Sequence, residues 1–239
     1  MLKILIGLYV FFNSNNGVNG NQLANYVDAN VKTARKFSKK CRILMAESNN
    51  SKILQSSFYE IDILEIGGHH KGKRGKDSEN KQPTLLILST LEDNNYPQYV
   101  KLHTLPNYKG EPIEEYLKEK CLFDPTIVIN CDRDKAFFCL NKLAQLENSV
   151  VDYTKENHKL KWLNTFIGNI QSNINHLYRL VKKRDLPLFL SEQEWRINHR
   201  YSGKRIMDKV KKYISMSTPV TFKQITNSVL AYEKQFLSA

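Results

Sequence analysis

The chain opens on an almost unbroken apolar run, MLKILIGLYVFF, which gives way to the polar segment NSNNGVNG. The run is too short to span a bilayer, and no small-x-small cleavage pattern follows it, so it predicts a buried first helix. GNQLANYV then predicts a short helix, DAN a turn, and VKTARKFSKKCRILMAE a longer amphipathic helix. Its apolar stripe is formed by Val31, Ala34, Phe37 or Cys41, Leu44 and Met45, with Lys32, Arg35, Lys36, Lys39 and Lys40 largely outside it. After the polar joint SNNSK the pattern changes. FYEIDILEI alternates and is rich in isoleucine, as a strand requires, and PTLLILSTL and QYVKLHTL predict two more. GEPIEEYLKEKC predicts a helix with acids in its first turn, and TIVINC a continuous apolar strand covered on both faces. DKAFFCLNKLAQL predicts a helix, SVVD a short strand, and WLNTFIGNIQSNINHLYRLVKKR a long helical stretch interrupted near Gly168.

The resulting order is strand, strand, strand, helix, strand, helix, strand, helix. It resembles the ribonuclease-H-like fold, an α/β architecture whose mixed sheet carries flanking helices and whose first strand neighbours the fourth. The expected organisation is a small all-α module over residues 1–50, a ribonuclease-H-like core over 57–200 and a helical C-terminal extension over 201–239. The short helix, tight turn and basic helix of the first module suit a helix-turn-helix that offers its second helix to a major groove. A three-helix bundle with a solvated basic face fits the same pattern.

Composition narrows the partners. Thirty-six lysines and arginines against 24 aspartates and glutamates leave a net charge of +12, which favours a polyanionic partner. The basic residues are not gathered on one helix with a strong apolar face, so nucleic acid is favoured over a membrane surface. The four cysteines, at 41, 121, 131 and 139, form no C-x-x-C pair and have no histidine cluster beside them. A zinc ribbon is thereby excluded, and reduced thiols in a cytoplasmic setting are expected.

Two acids attract notice within this frame. Asp62 lies in the middle of the first strand and Asp132 directly follows the fourth, so the topology brings both carboxylates to one edge of the sheet. Close carboxylates repel unless a cation lies between them, and hard oxygen donors suit Mg²⁺ or Mn²⁺. Two such ions can flank an in-line phosphoryl transfer. Glu60 projects to the same face as Asp62, because strand side chains alternate. For either acid taken singly, a strand-end carboxylate satisfied by backbone amides is the plainer reading. The loop GGHHKGKRGKDSENK joins the first two strands, and its Lys71, Lys73, Arg74 and Lys76 can meet phosphates. Considered alone, it also reads as a solvated loop.

YEIDILEIGGHHKGKRGK resembles the first-aspartate motif of DDE-type insertion-sequence transposases of the ISXO-like group, relatives of the Merlin elements. VINCDRDKAF is similar to the second motif and favours Asp132 over Asp134. LNTFIGNIQSNI is similar to the third, and LPLFLSEQEWRINHR to the aromatic-Arg-x-Asn tail. The opening segment resembles the helix-turn-helix that precedes the catalytic domain in this group. The resemblance implies end cleavage and strand transfer of an insertion sequence, with Asp62, Asp132 and Asn164 holding two Mg²⁺ or Mn²⁺ ions. It implies DNA as partner, both terminal repeats and target, and a homo-oligomer on paired ends. Lys32, Arg35 and Lys39 of the basic helix, with Lys71 to Lys76, are expected to hold that DNA. The chain departs from the pattern where Ile63 follows the first aspartate and Gly168 stands at a Glu position. Tyr153 replaces a histidine, and Asn175 and His176 lie where a lysine is expected. A catalytically degenerate copy that only binds DNA is the alternative.

Overall fold

A computed structural model describes residues 2–67, 81–90, 96–123, 126–132, 134–148, 160–178, 181–203 and 206–216. The chain divides into two compact units, one of residues 52–171 and one of residues 1–51 with 172–238. All four cysteines carry free thiols, and no helix among the described residues is long and apolar enough to cross a membrane.

The first unit is built on five strands: β1 (Phe58–Ile66), β2 (Gln82–Thr90), β3 (Pro97–Thr104), β4 (Val128–Cys131) and β5 (Gln145–Asn148). They lie in the order β3-β2-β1-β4-β5, with β1, β2 and β3 antiparallel and β1, β4 and β5 parallel. This is the sheet of the ribonuclease-H-like fold expected from the element order. Strand alternation sorts its residues onto two faces. Tyr59 and Ile61 of β1, Leu85 and Ile87 of β2 and Ile129 and Cys131 of β4 share one face. There they pack against Ile113 and Leu117 of α4 (Gly110–Lys120) and Phe137 and Leu140 of a 3₁₀ helix, Lys135–Lys142. The opposite face carries Glu60 and Asp62, and α5 (Lys161–Ser172) is anchored to it through Glu60.

The helix expected over 134–146 is shorter. Asp134 caps the 3₁₀ helix by accepting the Ala136 N–H at 3.0 Å, and the chain leaves it after Lys142. The Gln145 N–H then bonds the Ile127 carbonyl at 2.9 Å, which starts β5 earlier than the expected strand at 149–152. That stretch lies outside the described residues. No break occurs at Gly168, which is exposed and has open space around it; α5 runs past it and widens into a π-type turn only at Asn173–Tyr178.

The second unit contains α1 (Leu2–Asn13), α2 (Gly20–Val27), α3 (Val31–Asn50), α6 (Leu186–Asn198) and α7 (Ile206–Met216). Asn19 opens α2 with a reciprocal capping box to Gln22, and Asn30 caps α3 by accepting the Lys32 N–H at 2.8 Å. Asp28 turns the chain between them in the left-handed region, φ 47°. The core joins Phe11, Phe12, Leu23, Met45, Trp195 and Val210, with the Phe12 and Trp195 rings edge to face at 5.2 Å. Only the C-terminal half of α1 reaches it. Leu2, Ile4, Leu5 and Tyr9 are exposed, so the opening helix is not buried as its composition suggested.

A carboxylate holds this unit together. Glu192 of α6 is fully buried and accepts from Arg42 of α3 at 2.6 Å, Arg196 at 2.6 Å and the Tyr178 hydroxyl at 2.7 Å. Arg196 also donates to the carbonyls of Phe11 and Ser14, which close the end of α1. These bonds draw α6 to the N-terminal helices, and the second compact unit includes it. Burial raises the Glu192 pKa, but the two guanidiniums outweigh it and leave the group below its ordinary 4.5. Its stabilisation is therefore complete above pH about 4.5 and is lost as pH falls through the lower folded value. Glu192→Gln strands two buried guanidiniums without their counter-charge, and should cost about 3–5 kcal/mol in urea unfolding. The same variant should show a flatter acid limb than the wild type.

Candidate active site

The parallel ladder between β1 and β4 runs Phe58–Val128, Tyr59–Ile129, Glu60–Asn130 and Ile61–Cys131. Asp62 and Asp132 are the next residues on their strands, so they face each other just past the end of the ladder. Both are half-buried. Asp62 Oδ1 accepts the Ile63 N–H at 2.7 Å, and Asp132 Oδ1 accepts the Asp134 N–H at 2.9 Å. The thiol of Cys131 reports the negative potential here. Burial, then the charges of Asp132 and Asp62, push its pKa up to about 12.

α5 begins under strain and is pinned. Leu160, 3% exposed, precedes it at φ 72°, a backbone conformation uncommon for a branched side chain. Glu60 is 1% exposed, and its Oε2 accepts the N–H of Leu163 in the first turn at 3.2 Å. A carboxylate at a helix N-terminus satisfies an orphan amide and complements the helix dipole. The next residue is Asn164. Its Nδ2 is buried and has no hydrogen-bond partner among the described residues.

A family model described as ISXO2-like transposase domain matches residues 58–198. The chain belongs to the ISXO2-like transposase family. The matched stretch begins at the first residue of β1 and ends at the last of α6. No curated protein matches the chain. One solved structure, described as a pre-cleavage Mos1 transpososome, aligns over 90% of this chain and 78% of its own at 11% identity. Its TM-score of 0.31 is too low to carry an argument.

The three residues that the transposase resemblance implies as cation ligands belong to β1, the end of β4 and the first turn of α5, all in one unit. Their chemistry fits a hard divalent cation: two opposed carboxylates and a carboxamide whose terminal nitrogen has no partner among the described residues. Among the described residues no three His, Cys, Asp or Glu side chains group as a metal site. Asp134 is engaged as a helix cap.

The basic residues of α3 belong to the other unit. Lys32 and Arg35 are exposed, whereas Lys39 is half-buried and pairs with Asp185 at 3.4 Å. Arg35 and Lys39 line a groove of about 890 Å³ with Asn19, Gly20 and Tyr178. Lys71, Lys73, Arg74, Lys76 and Tyr153 lie outside the described residues. Sequence reasoning placed Glu60 on the acid face without its role as a helix anchor, and passed over Asn130. The available signal for Asn130 was parity, since it stands two residues before Asp132 on the same strand face. Removing the anchor with Glu60→Ala should accelerate hydrogen exchange of the Leu163 amide by at least about tenfold, the loss expected for a bond to a charged acceptor. An unchanged exchange rate would show that Glu60 does not hold α5.

Proposed function

We propose that the protein is a metal-dependent transposase that cleaves the DNA ends of an insertion sequence and transfers the strand by transesterification. The observation that carries this reading is the β1–β4 register, which sets Asp62 opposite Asp132. Asp62 and Asp132 hold the cations between them, and Asn164 completes the set with its carboxamide oxygen. Bound divalent cations supply activation of a water or 3′-hydroxyl and stabilisation of the departing oxygen. The chain's own part is to fix the carboxylates at the ladder's end and to keep α5 in place through Glu60.

DNA is the partner, and both the family and the net charge of +12 support it. Lys32 and Arg35 on the exposed side of α3 neutralise phosphates, as do Lys71, Lys73, Arg74 and Lys76 of the basic loop. Lys39 contributes less, because Asp185 already engages it. The α2–turn–α3 arrangement acts as a helix-turn-helix for the terminal repeats, and the enzyme works as a homo-oligomer on paired ends.

One observation favours a second reading. The third position is an amide, a weaker cation ligand than a carboxylate, which suits a degenerate copy that binds DNA without cutting it. A duplex carrying the element's end, incubated with Mg²⁺ or Mn²⁺, separates the two. Wild type should nick and join it, while Asp62→Ala and Asp132→Ala should each lose at least about 100-fold in rate yet keep DNA binding. Wild type that binds the duplex and never cuts it leaves only the binding role.

A further inference from the structure

Two buried polar atoms near the acid pair lack partners among the described residues: the Oδ1 of Asn130 and the Nδ2 of Asn164. One is an acceptor and the other a donor. Asn130 is 3% exposed and lies on β4 directly across from Glu60. Glu60 in turn accepts the Leu163 N–H, which fixes the residue preceding Asn164. Both orphans thus flank a single buried carboxylate, reached from the strand on one side and from the helix on the other. An orphaned buried group costs about 1–3 kcal/mol, and native structures keep few of them. A bridging water can join an orphaned acceptor to an orphaned donor at nearly the strength of a direct bond.

We propose that Asn130 is a positioning residue for Asn164: its carboxamide oxygen takes the Asn164 amide N–H through one bridging water. An asparagine amide is oriented by the bonds it makes. With its nitrogen held by Asn130, the Asn164 oxygen is turned toward Asp62 and Asp132, the side from which a cation would be bound. Strand alternation places Asn130 on the same face as Asp132, in the layer beneath the acid pair. The proposal deepens the two-aspartate reading and rests on it for the cation alone; the proposed bond between the two asparagines does not depend on it.

The test uses the full chain and two readouts, Mn²⁺ binding followed by electron paramagnetic resonance and urea unfolding without metal. Asn130→Leu is close in shape and removes the acceptor, so a merely structural asparagine would leave Mn²⁺ affinity unchanged in this variant. We expect a lower unfolding midpoint than wild type, because the buried Asn164 N–H loses its acceptor, with Mn²⁺ affinity of the folded protein about tenfold weaker, as for loss of a group that orients a ligand. Asn164→Ala added to that background should weaken binding no further than Asn164→Ala alone. Full affinity in Asn130→Leu, or losses that multiply, would overturn the proposal. Asn130→Ala serves the same comparison should the leucine variant not fold. If wild type binds no Mn²⁺, the cation reading fails, and the metal-free cycle of Asn130→Ala with Asn164→Ala decides the contact. Sub-additive destabilisation supports it, and strict additivity overturns it.

Discussion

Parallel pairing of β1 with β4 is the constraint on which the rest of the site depends. Tyr59 and Ile61, with Ile129 and Cys131, bury themselves on the face covered by α4 and the 3₁₀ helix. A slip of one residue would turn those apolar side chains to the other face, so burial fixes the register. Once it is fixed, Glu60 and Asn130 must share the opposite face, and Asp62 and Asp132 must meet at the end of the ladder. The geometry that concentrates negative charge at the sheet's edge is therefore set by apolar packing on its other side.

Buried carboxylates are satisfied in this chain by three different means. Glu192 is neutralised by Arg42 and Arg196 and closes the helical unit. Glu60 takes the positive end of α5. Asp62 and Asp132 accept main-chain amides and oppose each other, and their negative potential adds to the burial that lifts the neighbouring Cys131 thiol. The first two are structural, and the third is the place proposed to attract a cation. α5 connects the second to the third, because the carboxylate that anchors its first turn lies two residues from Asp62 and one helix position from Asn164.

Much of this was legible in the sequence. GNQLANYV is the whole of α2, and strand alternation in FYEIDILEI located β1 and the face of its acids. Strand order followed from element order, and with it the meeting of Asp62 and Asp132. Features set by long-range polar contacts were not legible. Arg42 reads as one more cation of a basic helix, yet it is buried against Glu192, 150 residues away. That pairing carries α6 to the N-terminal helices, so the compact unit around the sheet ends at 171 while the family match runs on to 198. The apolar opening run misled for the opposite reason, since composition describes what can be buried and only Phe11 and Phe12 of its far end meet Trp195. At β5, main-chain pairing from Gln145 to Ile127 overrode the helical pattern that continued through Leu146.

The central claim is that the β1–β4 register creates a cation site between Asp62 and Asp132. Crystals grown with Mn²⁺ and measured at the manganese absorption edge test it most directly. The account predicts an anomalous peak coordinated by oxygens of both aspartates, with the Asn164 carboxamide oxygen beside it. Manganese bound elsewhere, with no peak between the two carboxylates, would contradict it.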